Sequence, residues 1–366
     1  MNKDIKIICT VTNDLNYDQR MIRICTTLQA AGYDVTLVGF KRKASKPLIQ
    51  QPFKQFRIPI IAEKGKILYV DYWIKLFFFL LFKRIDILCA IDLDTILPIY
   101  YISKIRRKKR VYDAHELFTD LKEVISRPTV HKMWTWIGNH TVPHFKYGYT
   151  IGECYAEELK KRYGVNYAIV RNATILKPLE LTKKTDRYIL YQGAVNVGRC
   201  FEQLIPAMKN VDATLIVCGE GNFYEQALTI TKQCGLENKV IFIGYVPPDQ
   251  LTKYTQTAWI GITLFEETSL SNKLSLANRF FDYMHYAIPQ LCIKYPEYEK
   301  INAQYEIASL IENPTPDSIA SALNKLLRDQ DYYEKLQQNC IEARKVYCWQ
   351  EEAKRLLDVY KKIQDE

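Results

Sequence analysis

SNKLSLANRFFDYMHYAIP, residues 271–289, carries two periodicities at once. Its second half reads as the start of a helix with Asn278 as cap, and Phe280, Phe281, Met284 and Ala287 have the spacing of one buried face. Asn278, Asp282 and His285 recur at i, i+4 and i+7, so they share the opposite, polar side. The first turn of such a helix has unpaired backbone N–H groups and partial positive charge, a natural seat for a phosphate. Asp282, one turn further in, can accept two hydrogen bonds, which suits the vicinal hydroxyls of a ribose. The same pattern also describes an ordinary amphipathic surface helix.

Apolar runs flank this helix, Trp259–Leu264 before it and Gln290–Ile293 after it, and the alternation extends along nearly the whole chain. The first half has Ile5–Val11, Val35–Phe40, Ile85–Ile91, Arg110–Tyr112, Tyr149–Ile151 and Ala168–Val170; the second has runs from Tyr188, at Ala213–Cys218, Val240–Ile243 and Ile307–Ile311. Strand-like runs alternating with helical patterns predict an α/β chain with parallel sheets. Residues 1–176 and 188–347 are the expected domains, joined by a polar linker, KPLELTKKTDR at 177–187. Residues 348–366 form a last helix, with Trp349 as its expected anchor.

A chain of 366 residues agrees with two domains, and 48% hydrophobic and 25% charged residues are the proportions of a globular protein. Its 10 cysteines form no C-x-x-C pair, and Cys9, Cys89, Cys218 and Cys292 lie in apolar runs, where reduced buried thiols are expected. No metal site is legible. The N-terminal residues run straight into a strand pattern without a signal-like segment, so a cytoplasmic location is expected. Charge is uneven: residues 1–180 hold 30 of the 51 Lys and Arg but only 17 of the 41 Asp and Glu, so the first half is expected to meet something anionic. Trp73–Phe82, WIKLFFFLLF, is the most apolar run and too short to span a bilayer. It is either a helix packed on the first sheet or an interfacial helix facing an anionic membrane surface.

Several groups fall at expected strand ends, where open α/β sheets gather ligands. Asn13 to Asp18 follow the first strand without a G-x-G-x-x-G, which argues against a dinucleotide held there; Asp18 serves equally as a helix cap. Asp113, His115 and Glu116 follow Arg110–Tyr112, and a histidine between two acids suits a base, a hydrogen-bond donor or a structural residue. In LYQGAVNVGRCFEQL, Gly193 and Gly198 surround a loop that ends in Arg199, where a guanidinium can clamp a diphosphate. CGEGNFYEQ, with Glu220, and IGYVP, with Tyr245, close two further strands.

Taken in order, these motifs resemble the GT-B glycosyltransferases of the retaining family 4, or group 1. Ala277–Met284, ANRFFDYM, resembles the family's Pro-Asn-Lys-x-x-Glu-Tyr-Met donor motif, with Asp282 for Glu, Arg279 for Lys and Ala277 for Pro. Leu274 stands where many members have a second Glu, which turns attention to Glu266 and Glu267. Tyr112–Glu116, YDAHE, resembles the family's Asp-Ser-His-Glu segment. The resemblance implies two Rossmann-like domains facing a central cleft, with the last helix crossing back to the first domain. It implies transfer of a hexose from a nucleoside diphosphate sugar to a glycan or lipid-linked acceptor, with retention and without a protein nucleophile, metal or other cofactor. His115 would contact a hydroxyl of the donor sugar. Gly193, Gly198, Arg199, Glu220, Tyr245, Asn278, Arg279 and Asp282 would hold the donor, with Arg279 or Lys273 as the second positive charge. Asn13, Asp18, Asp113 and Glu116 would border the acceptor. The alternatives are a nucleotide-sugar epimerase of the same architecture and a non-catalytic sugar- or nucleic-acid-binding protein using the basic half. By the resemblance no nucleic acid is expected.

Overall fold

All thirteen strands of the computed structural model, which describes residues 5–63, 65–180 and 187–365, pair in parallel. The chain divides into two units, Met1–Arg171 with Glu352–Glu366, and Asn172–Glu351. Of the expected linker, residues 181–186 lie outside the described residues. Its first part goes with the second unit, since Arg344 donates to the Lys177 carbonyl and Leu179 packs on that unit's core.

The first unit's sheet holds β1 (Lys6–Thr10), β2 (Asp34–Lys41), β3 (Lys54–Pro59), β4 (Ile87–Ile91), β5 (Lys109–Ala114), β6 (Tyr147–Thr150) and β7 (Ala168–Ile169) in the order β3-β2-β1-β4-β5-β6-β7. Near-continuous apolar runs make the central strands because helices cover both faces; all five residues of β4 are buried. The edge strand β3, KQFRIP, mixes charged and polar with apolar residues, and for that reason it carries no continuous apolar run in the sequence. Three helices build on this sheet: α1 (Gln19–Ala30), α2 (Gly65–Leu81) and α3 (Asp92–Ile105). Tyr72 fixes α2 to the sheet by donating to the Val11 carbonyl at 2.9 Å.

The second unit repeats the scheme with β8 (Tyr188–Gln192), β9 (Thr214–Cys218), β10 (Val240–Gly244), β11 (Ile260–Thr263), β12 (Gln290–Ile293) and β13 (Ala308–Ile311), in the order β10-β9-β8-β11-β12-β13. Phe280, Phe281, Met284 and Ala287 are fully buried, as their spacing predicts. The helix Asn278–His285 ends before Ala287, which turns left-handed at φ +52°.

In each sheet the strand order reverses once, beside β1 and β4 in the first and beside β8 and β11 in the second. The carboxyl ends of those strands are where such sheets leave room for a ligand.

The helix Trp349–Gln364 runs through the division between the units. Its first residue, Trp349, belongs to the second unit, where its backbone N–H donates to the Thr174 carbonyl. On the first unit the spacing Leu356, Tyr360, Ile363 supplies the buried stripe, and Tyr360 meets the rings of Tyr33 and Tyr149. All ten cysteines are free.

Candidate functional site

In the second unit, the turn after β8 carries Gly193 and Gly198 at φ +122° and +83°. A Cβ on Gly219, after β9, would lie 1.8 Å from the Gly193 carbonyl oxygen, so the glycines here let two strand-end loops touch. The Glu266 N–H donates to Gly198, tying the loop after β11 to the same turn.

That junction collects positive charge. Arg199 lies over the Phe265 ring at 4.3 Å, and Arg279 lies over the same ring at 4.8 Å and over Tyr191 at 4.6 Å. Arg279 is buried, with one bond to the Gln192 carbonyl at 3.3 Å, while its Nε and Nη2 have no hydrogen-bond partner. Among the described residues neither guanidinium has an ion-pair partner. Burial first, then the like charge of Arg279, pulls the Arg199 guanidinium below its ordinary value. Lys273 is not the second cation, because it is paired with Glu267 at 2.7 Å. Two cations sharing an aromatic platform without a counter-charge suit a multiply charged anion.

The helix start differs in detail from the sequence reading. Asn278 is not the cap: Ala277 holds that position without a side-chain bond, and exposed Asn278 accepts from Asn172 at 2.6 Å. His285 is not on an open polar face. It is buried, with Nδ1 at 2.8 Å from the Phe281 carbonyl. Asp282 is half-buried and accepts from Thr174 at 2.6 Å and Gln192 at 3.0 Å. Glu220 and Tyr245 come together at the ends of β9 and β10, where the Tyr245 N–H lies 3.3 Å from Glu220 Oε1.

The first unit gathers acids instead. Asp92, just after β4 and in a left-handed conformation at φ +50°, accepts from the N–H groups of His115 and Glu116 at 3.0 and 3.1 Å. Its other oxygen lies 2.7 Å from His115 Nδ1. Burial lowers the affinity of His115 for its proton, but Asp92 outweighs it and holds the imidazole's pKa up at about 10. Asp94, one helical turn start away, takes the Thr12 hydroxyl; burial, reinforced by Asp92, pushes its carboxyl up to about 8. Neither Asp92 nor Asp94 stands out in the sequence except as CAIDLDT, two acids directly after an apolar strand.

Two expected site residues are structural here. Asp113 is fully buried and both its oxygens bind Arg20, at 3.0 and 2.7 Å, so it does not border an acceptor. Asp18 caps α1 through the Met21 N–H and accepts from Asn13 at 2.8 Å. Asn13 and Glu116 stay half-buried near the strand ends. No group of acids, histidines and cysteines suited to a metal ion occurs among the described residues.

Residues 174–345 match the family described as glycosyl transferases group 1. An uncharacterized glycosyltransferase of Methanocaldococcus jannaschii is 24% identical over 184 residues, 48% of this chain and 45% of that protein. The chain thus spans about half the length of this curated relative. Sucrose-phosphate synthase of Thermosynechococcus elongatus has the same fold, with a TM-score of 0.79 at 14% identity over 99% of both chains. Anabaena HepE in complex with UDP-glucose gives a TM-score of 0.72 at 14% identity, over 99% of this chain and 98% of that one. The fold is therefore GT-B, built from two Rossmann-like units.

Proposed function

We propose that this chain, whose residues 174–345 match the group 1 glycosyl transferases, moves a hexose from a nucleoside diphosphate sugar to a hydroxyl of a glycan or lipid-linked glycan. One observation carries the donor half of this reading: Arg199 and Arg279 share the Phe265 ring with no counter-charge. A diphosphate supplies that charge, and the first turn of the Asn278–His285 helix adds N–H donors beside it. Asp282, which accepts from Thr174 and Gln192 near the start of that helix, is the carboxylate for the ribose hydroxyls. Glu220 and Tyr245 border the nucleoside base. HepE was crystallised with UDP-glucose, which makes uridine diphosphate the first nucleotide to try.

In the acceptor half, His115 acts as a charged hydrogen-bond donor to a sugar hydroxyl. Held protonated well above neutral pH by Asp92, it has no vacant nitrogen with which to act as a base. With Asp113 bound to Arg20, the reading is retention: the leaving diphosphate takes the acceptor proton on the same face of the sugar. The arginine pair offsets the diphosphate charge, so transfer proceeds without a metal or other cofactor. The location is cytoplasmic.

Thermal-shift titration with nucleoside diphosphates and their sugars tests the donor site, because a ligand of the folded state raises Tm by mass action. Asp282→Asn should weaken uridine diphosphate but leave a 2′,3′-dideoxy analogue almost unaffected. Equal losses for both ligands remove the ribose contact. Proton NMR of the product's anomeric centre reads retention directly, and the same spectra reveal epimerisation of the donor in the absence of an acceptor.

A further inference from the structure

α2 is apolar on two sides. Leu68, Tyr72, Leu76 and Leu80, spaced by four, are buried against the first unit. Ile67, Val70, Ile74 and Phe78 form a second stripe, continued past the helix end by Phe82, and all five are 49–81% exposed. Trp73 is not among the exposed residues: its indole donates to the Asp94 carbonyl and its ring meets Trp134 edge-on. Beside the stripe, Ile74 and Phe78 line a groove with Leu97, Pro98 and Tyr101 of α3. Exposed Ile105 extends the apolar area along α3, and exposed Trp136 lies beyond Tyr101 through His140, whose ring both residues meet.

One end of this face is cationic. Arg106 donates to the carbonyls of Leu80 and Lys83, which joins the C-terminal ends of α2 and α3. Lys83, Arg84, Lys104, Arg106, Arg107 and Lys108 collect there, with Asp86, bonded to Lys108, as the acid in the same stretch. Monomers rarely leave so large an apolar stripe uncovered.

We infer that this face docks the protein on an anionic phospholipid surface, with Ile74, Phe78 and Phe82 at the boundary of headgroups and acyl chains and the basic end on the lipid phosphates. Charge complementarity selects this occupant over a second copy of the chain, which would present the same cations. No helix among the described residues is long and apolar enough to cross a membrane, so the protein would lie on the surface. The inference rests on the transferase reading only in giving a lipid-linked acceptor its location.

Cosedimentation with vesicles of phosphatidylcholine and phosphatidylglycerol tests it, with uridine diphosphate affinity measured on the same samples. Wild-type protein should pellet with the anionic vesicles, and remain in solution with phosphatidylcholine alone or at high salt. Ile74→Ser with Phe78→Ser should lower partition at least tenfold. Arg84→Gln and Arg107→Gln should each lower it roughly fivefold. Uridine diphosphate affinity should be unchanged in all of them. If the double variant loses its circular-dichroism signal, Phe82→Ser, at a site 81% exposed, serves in its place. Failure of folded wild-type protein to pellet at low salt overturns the docking face, as does full pelleting of the serine variants. A dimer that the serine substitutions dissociate, without vesicle binding, assigns the face to a second copy and also overturns it. Nucleotide binding that survives those results leaves the transferase reading intact. Vesicle binding without any nucleotide affinity removes the transferase reading and keeps the docking face.

Discussion

The two units reverse strand order in the same way yet furnish the strand ends with different charged groups. In the second unit, beside β8 and β11, two arginines share one phenyl ring, and among the described residues neither has an ion-pair partner. In the first, beside β1 and β4, Asp92 pairs with the His115 imidazole, and the Asp94 carboxyl close by is held protonated up to about pH 8. The same backbone scaffold therefore makes an anion seat in one half and a proton-retaining histidine in the other. Among the described residues the arginine pair of the second unit has no counter-charge, whereas the imidazole of the first has Asp92. The imbalance in the second unit asks for a diphosphate. The charged imidazole of the first suits a neutral partner able to accept from it, such as a sugar hydroxyl.

The sharpest way to break this division of labour is His115→Ala. It should lower the transfer rate about 10²-fold or more while leaving uridine diphosphate affinity untouched, since it removes a positioned polar group. A wild-type rate, or an equal loss in nucleotide affinity, would end the assignment. On the other side, Arg199→Ala should weaken nucleotide binding by roughly 1.5–3 kcal/mol in calorimetry, the worth of a hydrogen bond to a charged group. The half-exposed side chain should leave the fold intact, and unchanged affinity would take Arg199 out of the anion seat.

A finer test concerns the proton itself. Because Asp92 raises the folded His115 pKa from 6.5 to about 10, its contribution to stability is complete below about pH 6.5 and is lost as pH rises through 10. Asp92→Asn should bring the His115 midpoint down several units, read by NMR of the imidazole, and flatten the stability slope over that window. A midpoint that stays near 10 means that other acids hold the proton. The smallest effect is expected from metal removal: a chelator should leave the transfer rate unchanged. A loss restored by magnesium would show that the arginine pair does not suffice for the diphosphate.

Strand positions were legible because parallel strands covered by helices read as unbroken apolar runs. β3 was not, since an edge strand with one wet face loses that run among its charges. The buried face of the Asn278–His285 helix was legible from spacing alone, but its polar face was not. Periodicity puts Asn278, Asp282 and His285 on one side. Which of them meets solvent depends on tertiary packing, which buries His285 and leaves Asn278 exposed.

What the sequence determined by itself is local and periodic: the alternation of strands and helices, the buried stripes, the apolar run of α2 and the excess of positive charge before residue 180. These follow from the 2.0 and 3.6 residue repeats of strand and helix and need no partner. The tertiary structure decided which charges are paired. Asp113 is neutralised by Arg20 from 93 residues away, and Lys273 by Glu267, whereas Arg199 and Arg279 meet at Phe265 with nothing between them. Electrostatic interaction depends on distance and burial, and chain position sets neither until the sheets have folded.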